Sequence, residues 1–346
     1  MRKNGLTRRT FLIGSAILAL WVIIFGRAIG TPVLAGSAES GSRGKTVRYL
    51  TFGIDFYYTR GGEFEYQTAL LEGIKKKAAE AGLAVQVLGC KGPPQFQLTQ
   101  ILDAVTKKPD ALLINPVDAK LIVAGVKRAN EANIPIFILE NPPPEGKLLG
   151  VVGFDNEASG SIGSDELAKL IGEKGLVLEA LGPNQPQLRH KGFTERMKAK
   201  YPDIEVRSLN TEWVADNTNK IDNAYKIVLH ALTQNPNTMG VFSDNDEMVP
   251  GVVSALHQIG KLVSVGQQGH VAIVGVNGTP GALDRIRKGT QDASVGKDPN
   301  GMAGIVLNQI IAYFEGKPFD AKSETKPILI TKDNVDDPNL WGNSFR

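Results

Sequence analysis

Short apolar runs alternate with stretches of helical periodicity along most of this chain. Every position is apolar in ALLI (111–114) and IFIL (136–139), whereas residues 64–81 place apolar side chains three and four positions apart. Short apolar runs bounded by turn residues predict strands buried on both faces, and the three-to-four spacing predicts amphipathic helices. Regular strand–helix alternation over this length predicts an α/β fold with doubly wound parallel sheets.

The alternation can be followed from residue 47 to residue 314. It predicts strands at 47–53, 84–89, 111–114, 134–140, 148–154, 176–181, 204–209, 240–243, 271–276 and 292–296. It predicts helices at 64–81, 96–105, 119–132, 157–171, 188–199, 216–233, 248–259 and 301–314. The polar tail 317–346 holds one short apolar run, 327–330, and is too small for a domain, so we expect it to cross back between lobes.

A strand-to-helix junction with a polar end occurs twice. ALLINPVDAKL ends its apolar run at Asn115, and MGVFSDNDEMVPG ends its run at Asn245, 130 positions later. Ligands of open parallel sheets lie beyond the carboxyl ends of the strands, so two such ends predict two similar lobes that face each other across a cleft. We expect the first lobe to comprise 46–155 plus 298–326 and the second 156–297 plus 327–346.

Charge and cysteine content narrow the class of protein. The chain has 346 residues, 42% of them apolar, and a net charge of +3, which argues against nucleic acid as a partner. Five of the basic residues lie within positions 1–35, which contain no acidic residue, so the rest carries a net charge of −2. Cys90 is the only cysteine, so no internal disulfide is possible. The four histidines lack the spacing of zinc ligands, and neither a metal nor a cofactor is expected.

The first 35 residues have the pattern of an export signal. A basic start precedes the apolar run 11–25, and Val33-Leu34-Ala35 offers a small-residue cleavage site. TRRTFLIG (7–14) resembles the twin-arginine signal. An ordinary secretory signal or an uncleaved anchor is the alternative. No cysteine follows the apolar run, so a periplasmic protein without a lipid tether, its signal removed, is expected.

Several motifs together resemble those of periplasmic sugar-binding proteins of the ribose/galactose type, the substrate-binding subunits of ABC importers. LLINPVDA, IPIFILEN, VGFDNEASG, RHKGF, VFSDNDEM and VGVNGTP follow the order of that family's landmarks, and the resemblance spans about residues 47 to 319. It implies two doubly wound lobes joined by three crossovers and a hinge, with the ligand between them.

The resemblance also implies individual ligand contacts. The positions that match are Asn115, Glu140, Asn141, Arg189, Trp213, Asn245, Asn277, Lys297 and Tyr66. Four of them depart from the family: Glu140 and Asn141 replace Asp-Arg, Asn277 replaces Asp, and Lys297 lies near a common Gln. The first loop, 55–66, differs most, so the assignments of its aromatic residues, which include Tyr57, Tyr58, Phe64 and Tyr66, are loose.

These residue types suit a sugar, because carboxylates, amides and guanidinium groups pair with hydroxyls and aromatic rings cover the C–H face. Each also has a simpler interpretation. Asn115 and Asn245 could cap helices, Arg189 could be a surface charge, Trp213 could be core, and Glu140 could pair with Lys297. We interpret Asp246 and Glu247, by contrast, as acids of a first helical turn.

The predicted function is capture of a small sugar, polyol or sugar acid for an ABC permease of the inner membrane, by a monomer that performs no chemistry. Arg189 and Lys297 make the cleft more positive than that of a neutral-sugar binder, which leaves an acidic ligand open beside a neutral one. A ligand-sensing module for a membrane receptor or kinase, and an exported enzyme on the same fold, are the alternatives from other classes.

Overall fold

The structure, a computed structural model, describes residues 32–33, 41–52, 63–90, 94–182, 187–210 and 220–345. The strands are β1 Pro32–Val33, β2 Thr46–Phe52, β3 Ala84–Cys90, β4 Ala111–Ile114, β5 Ile136–Leu139, β6 Gly150–Phe154, β7 Gly175–Leu181, β8 Ile204–Asn210, β9 Thr238–Ser243, β10 Ala272–Asn277, β11 Ala293–Gly296, β12 Phe319–Asp320, β13 Lys322–Thr325 and β14 Ile328–Ile330.

The helices alternate with these strands. They are α1 Glu63–Ala81, α2 Pro94–Thr106, α3 Val123–Glu131, α4 Asn156–Ile171, α5 Gln187–Lys200, α6 Lys220–Gln234, α7 Val249–Gln258, α8 Pro280–Lys288 and α9 Pro299–Phe314, with a 3₁₀ turn at Trp341–Phe345. Within the described ranges, no helix is both long and apolar enough to cross a membrane.

Two six-stranded sheets form the two lobes. The first has the order β13-β6-β5-β4-β2-β3 and is parallel throughout, whereas the second has the order β14-β11-β10-β9-β7-β8 and is parallel except for β14. A small antiparallel pair joins β1 to β12. The expected doubly wound α/β fold of two parallel-sheet lobes is therefore confirmed.

Helices cover both faces of each sheet. In the first lobe α1 and α9 pack on one face, and α2 and α3 pack on the other. In the second lobe α4 and α5 cover one face, and α6 and α7 cover the other. Every residue of β4 and β5 is buried, which is why these strands are continuously apolar instead of alternating.

The chain crosses between the two sheets at three places. It passes from β6 to α4, from β11 to α9 and from β13 to β14. The two crossings that lead into a helix end at a side-chain cap: Asp155 accepts a hydrogen bond from the Ala158 amide at α4, and Asp298 accepts one from the Gly301 amide at α9. The tail runs from one sheet to the other, since β13 joins the first sheet and β14 the second.

Helix boundaries differ from the predictions in places. The predicted helix 119–132 begins only at Val123, because the Asp118 carboxylate accepts hydrogen bonds from the Lys120 and Leu121 amides and forms a turn there. The sequence pattern does not predict helix α8. This helix has nine residues, and few of them are apolar, but Thr279 caps its start and Gly289, at φ 70°, ends it.

Candidate functional site

Polar residues follow neighbouring strands at one edge of each sheet. In the first lobe Asn115 follows β4 and Glu140 follows β5. In the second lobe Asn245 lies just beyond β9, Asn277 ends β10, and Lys297 follows β11. Because the strands are parallel, their carboxyl ends meet at the same edge, so these side chains gather at the two facing rims.

Glu140 and Lys297 form an ion pair that joins the two lobes. Lys297 Nζ lies 2.8 Å from Glu140 Oε1, and the side chains are only 15% and 13% exposed. The Tyr66 hydroxyl donates to the same oxygen at 3.1 Å. The Lys297 ammonium also lies 4.9 Å from the centre of the Tyr66 ring and 5.4 Å from that of Phe154. The pairing considered as an alternative for Glu140 is thus present.

The charges of this cluster fix its protonation. Burial acts to raise the pKa of Glu140, but the Lys297 charge and hydrogen bonds from Lys297 and Tyr66 outweigh it, so the pKa is lowered. Burial and the Glu140 charge raise the pKa of the Tyr66 phenol. Glu140 also has a left-handed backbone, φ 65°, which a residue with a Cβ adopts rarely. The cluster therefore holds an ionised carboxylate in a strained backbone position.

Asn115 is fully buried and does not cap a helix. Its Nδ2 donates to Gln67 Oε1 at 3.3 Å, and its backbone carbonyl accepts from Gln97 Nε2 at 2.9 Å. Helix α3 begins only at Val123, so the capping interpretation was wrong. Its Oδ1 atom has no hydrogen-bond partner among the described residues, which is uncommon for a buried amide oxygen.

Arg189 lies on α5 and is 3% exposed, so the interpretation as a surface charge was wrong. Nη2 donates to Asn156 Oδ1 at 2.8 Å, and Nη1 donates to the Asp244 carbonyl. Its Nε, however, lacks a partner within the described parts of the chain. Burial lowers the pKa of the guanidinium, opposed by the charges of Asp244, Glu247, Glu140 and Asp246. The guanidinium is therefore a buried group held by an amide oxygen and a backbone carbonyl, with acidic groups in its surroundings.

Two close helix contacts place Arg189. A Cβ on Gly192 would lie 2.1 Å from the Glu157 carbonyl oxygen of α4, and one on Gly160 would lie 2.1 Å from the Arg189 carbonyl oxygen. Only glycine permits this approach of the two backbones. The glycine of RHKGF therefore brings α5 against α4, and the guanidinium of Arg189 reaches Asn156 as a result.

Asn245 is held by its neighbours and is not the cap of α7, whose N-cap is Met248. Its Nδ2 donates to Asp244 Oδ1 at 2.8 Å, whereas its buried Oδ1 finds no partner in the part of the chain that the structure describes. The capping interpretation of Asn245 was therefore wrong.

Asp246 and Glu247 also differ from their interpretation as acids of the first turn of α7. Asp246 is buried and accepts hydrogen bonds from the Gly278 and Thr279 amides and from the Ser294 hydroxyl. Glu247 Oε2 accepts from Asn277 Nδ2 at 2.9 Å. Both acids thus hold the loop after β10, because their side chains point to that loop and not to the helix start.

Asn277 has a φ of 119°, and hydrogen bonds connect it to Glu247, Lys297 and Trp341. Its side chain donates to Glu247, and its carbonyl accepts from the Lys297 amide at 3.1 Å and from Trp341 Nε1 at 2.9 Å. The sequence does not predict Trp341 near the site, because this residue lies in a polar tail with no motif around it. The partners Asn156, Asp244 and Gln67 were also missed, although the first two stand inside VGFDNEASG and VFSDNDEM.

Of the remaining predicted positions, the structure describes only Asn141 in full. Asn141 is exposed, and its backbone amide donates to the Leu139 carbonyl, so it stands apart from this arrangement. Trp213, Tyr57 and Tyr58 lie outside the described residues, and the Phe64 side chain is not described. Among the described side chains, no group of three or more His, Cys, Asp or Glu is placed to hold a metal ion.

The fold and the facing polar rims define a two-lobed solute-binding protein, and sequence comparison gives the family. Residues 54–318 match the periplasmic binding protein domain family, so the chain belongs to it, and the ribose/galactose resemblance is confirmed. The ribose import binding protein RbsB of Escherichia coli strain K12 is 27% identical over 268 residues, which is 76% of this chain and 86% of that protein.

Solved structures agree on the fold. A periplasmic ribose ABC transporter protein from Conexibacter woesei aligns with a TM-score of 0.74 at 23% identity, covering 86% of this chain and 95% of that one. An ABC transporter solute-binding protein from Agrobacterium vitis, bound to α-D-tagatopyranose, aligns at 0.71 with 24% identity, covering 86% and 97%. At these identities the likeness concerns the architecture.

Proposed function

We propose that this protein is the periplasmic receptor of an ABC importer and that its lobes close on one small, uncharged sugar or polyol. The observation that carries the proposal is that three of the six buried side-chain polar atoms without partners among the described residues are Asn115 Oδ1, Asn245 Oδ1 and Arg189 Nε. Each belongs to a residue that the sequence predicts as a ligand contact, and the two amides stand on opposite lobes.

Buried polar atoms without partners are costly, about 1–3 kcal/mol each, and are rare in folded proteins. Ligand hydroxyls both donate and accept, so one polyhydroxylated molecule can satisfy two acceptors and a donor at once. Closure on such a ligand lowers the free energy of the closed state selectively, which is what a binding-driven hinge motion requires.

The charges of the site favour a neutral ligand over a sugar acid. Lys297 is paired with Glu140, and Arg189 is surrounded by acidic groups and bonded to the Asp244 carbonyl. A carboxylate ligand would have to compete with both. The positive rim that made an acidic ligand attractive is therefore compensated inside the protein.

Binding can be tested on the purified protein even while the identity of the ligand is open. Native mass spectrometry would weigh any copurified molecule. Calorimetry would then compare D-ribose, D-tagatose, D-xylose, xylitol and myo-inositol with D-gluconate and D-galacturonate. Binding of neutral compounds alone supports the proposal, whereas binding of the acids alone would overturn the neutral assignment, and no thermal shift with any compound would overturn the sugar site.

Variants then test the residues. Asn115→Ala and Asn245→Ala should each weaken affinity roughly tenfold to hundredfold, because each removes one hydrogen bond in a closed, dry site. Asn237→Ala, on an exposed turn, is the matched control and should bind like the wild type. Equal affinity for all three variants would show that neither amide contacts the ligand.

We also propose that binding occurs without chemistry. Glu140 and Arg189, the two groups that an exported enzyme on this fold would use, are both committed to contacts within the protein. Mass spectrometry of ligand recovered after long incubation should give the unchanged mass. A new product that disappears in Glu140→Gln would instead identify an enzyme.

Export of the protein belongs to the same proposal. Fusing residues 1–40 to a reporter that fluoresces only when folded before export should place it in the periplasm. Changing Arg8 and Arg9 together to Lys should block that export if the route is the twin-arginine one. Unimpaired export of the Lys variant would instead indicate the ordinary secretory route.

A further inference from the structure

The C-terminal segment 331–345 contacts both lobes, and its Trp341 touches a residue of the candidate site on each side. The Trp341 indole is 2% exposed and belongs to the core of the first lobe. Its ring meets the Tyr66 ring nearly edge-on, with centres 5.8 Å apart and planes at 78°. On the other side its Nε1 donates to the carbonyl of Asn277 at the end of β10, in the second lobe.

The rest of the segment is attached to the second lobe. Val335 and Leu340 pack with Leu283 and Ile286 of α8. The Arg287 guanidinium of α8 donates to Asp336 Oδ1 at 2.8 Å, to the Val335 carbonyl at 2.8 Å and to Asn343 Oδ1 at 2.7 Å.

The backbones also approach closely beside Trp341. A Cβ on Gly342 would lie 2.6 Å from the Gly278 carbonyl oxygen. The segment is thus fixed to the loop that follows β10, and its indole is inserted into the other lobe.

Both neighbours of Trp341 are connected to the ion pair that joins the lobes. The Tyr66 hydroxyl donates to Glu140, and the Asn277 carbonyl accepts the Lys297 amide as well as the indole. We infer that residues 331–345 are a strap, a segment that joins the lobes through non-covalent contacts in addition to the three covalent crossings. We infer further that Trp341 is a positioning residue, which holds Tyr66 and Asn277 in place for the ligand. Its effect on affinity rests on the proposed function, whereas its effect on lobe geometry does not.

The geometric part is tested by a distance between the lobes in the ligand-free protein. Nitroxide labels are attached at Lys107→Cys and Lys198→Cys, two exposed positions on different lobes, in a Cys90→Ser background. Double electron–electron resonance then measures the distance between them. Trp341→Leu should broaden the distance distribution and shift it to longer values. Phe314→Leu, an equally buried aromatic of the same core cluster, is the matched control and should leave it unchanged.

The positioning part uses Trp341→Phe, which keeps an aromatic ring beside Tyr66 and removes the indole N–H together with part of the ring volume. Its affinity for the neutral sugars that bind the wild type should fall roughly threefold to tenfold, because Asn277 is no longer held in place for the ligand; this is less than the loss expected for removal of a contacting amide. Amide exchange of the peptide 272–282 should also accelerate, because Asn277 loses a donor. This second readout applies whether or not a sugar of the panel binds, and also if Trp341→Leu does not fold.

The outcomes separate the two roles. If Trp341→Leu only lowers the melting temperature as Phe314→Leu does, with an unchanged distance distribution, the segment is ordinary core and not a strap. If Trp341→Phe matches the wild type in exchange of 272–282, the indole does not position Asn277. Failure of every sugar to bind would overturn the proposed function alone, since the distance and exchange measurements still decide the strap.

Discussion

Lys297 Nζ and Glu140 Oε1 lie 2.8 Å apart although the residues are 157 positions apart in the chain and follow strands of different sheets. Both side chains are largely buried, and Tyr66 contributes a further hydrogen bond and its ring. A buried pair of this kind holds two elements in register more than it adds net stability. Removal of one partner should therefore be far more harmful than removal of both.

Lys297→Met should lower the free energy of unfolding by about 3 kcal/mol, because it leaves the Glu140 carboxylate buried without its cation. The double variant Glu140→Gln/Lys297→Met should recover most of this loss, since no unpaired charge remains. Urea unfolding of the four proteins of this double-mutant cycle measures the coupling. Additive losses in the double variant would contradict a pair coupled in the folded state.

Asp165 should contribute stability that disappears in acid. Burial acts to raise its pKa, but hydrogen bonds from Arg196, Tyr201 and Lys200 outweigh it and lower the pKa from 3.8 to about 2. A lowered folded-state pKa means that the contribution is complete above pH 3.8 and is lost as the pH falls towards 2. The effect is modest, because the side chain is a third exposed.

The difference in unfolding free energy between wild type and Asp165→Asn should therefore be constant near neutral pH and shrink below pH 4. Arg196→Met should make the unfolding free energy depend less on pH in this acidic range, since it removes the first hydrogen-bond donor that lowers the pKa of Asp165. A difference independent of pH down to 2 would contradict this.

His270 should give a pH dependence of the opposite sign. Its Nδ1 lies 2.6 Å from the Val263 carbonyl and its Nε2 lies 2.9 Å from Asp292 Oδ2, so both ring nitrogens face acceptors. The hydrogen bond to Asp292 raises the pKa of the imidazole above 6.5 against the opposing effect of burial. The stabilisation is therefore fully present below pH 6.5 and is lost as the pH rises through the raised value.

The melting-temperature gap between wild type and His270→Gln should accordingly close as the pH is raised from 6 to 9. NMR titration of the imidazole, with the His270→Gln spectrum to assign its signal among the four histidines, would measure the pKa directly. A titration midpoint below 6.5 would be incompatible with a histidine held by Asp292.

Gly192→Ala should separate α5 from α4. The added methyl would lie 2.1 Å from the Glu157 carbonyl oxygen, so α5 must shift. This shift should lower the free energy of unfolding by about 1–3 kcal/mol. Arg189 would move with it, and affinity for the ligand should fall as well. Gly304→Ala in α9, where the methyl meets no atom within 4 Å, is the control and should stabilise by up to about 1 kcal/mol. Equal stability of the two variants would contradict the close packing.

The sequence predicted the scaffold better than the contacts. Continuous burial makes β4 and β5 apolar throughout, so their strands could be identified, and the polar residues after them mark the rim. The sequence pattern does not predict helix α8, because this helix is short and largely polar. The interpretation of Asn115 and Asn245 as caps failed because capping depends on where the next helix begins: α3 begins at Val123, and the N-cap of α7 is Met248, so neither asparagine stands at a helix start.

The sequence by itself determined the α/β alternation, the two polar strand ends and the kinds of group placed there, because local periodicity and chain order govern these properties. Only the tertiary structure decided that Glu140 meets Lys297, that Arg189 is buried against Asn156 and the Asp244 carbonyl, and that Trp341 contacts Asn277. These contacts join residues far apart in the chain, and they form only once two independently built sheets are set against each other. No local pattern encodes that packing.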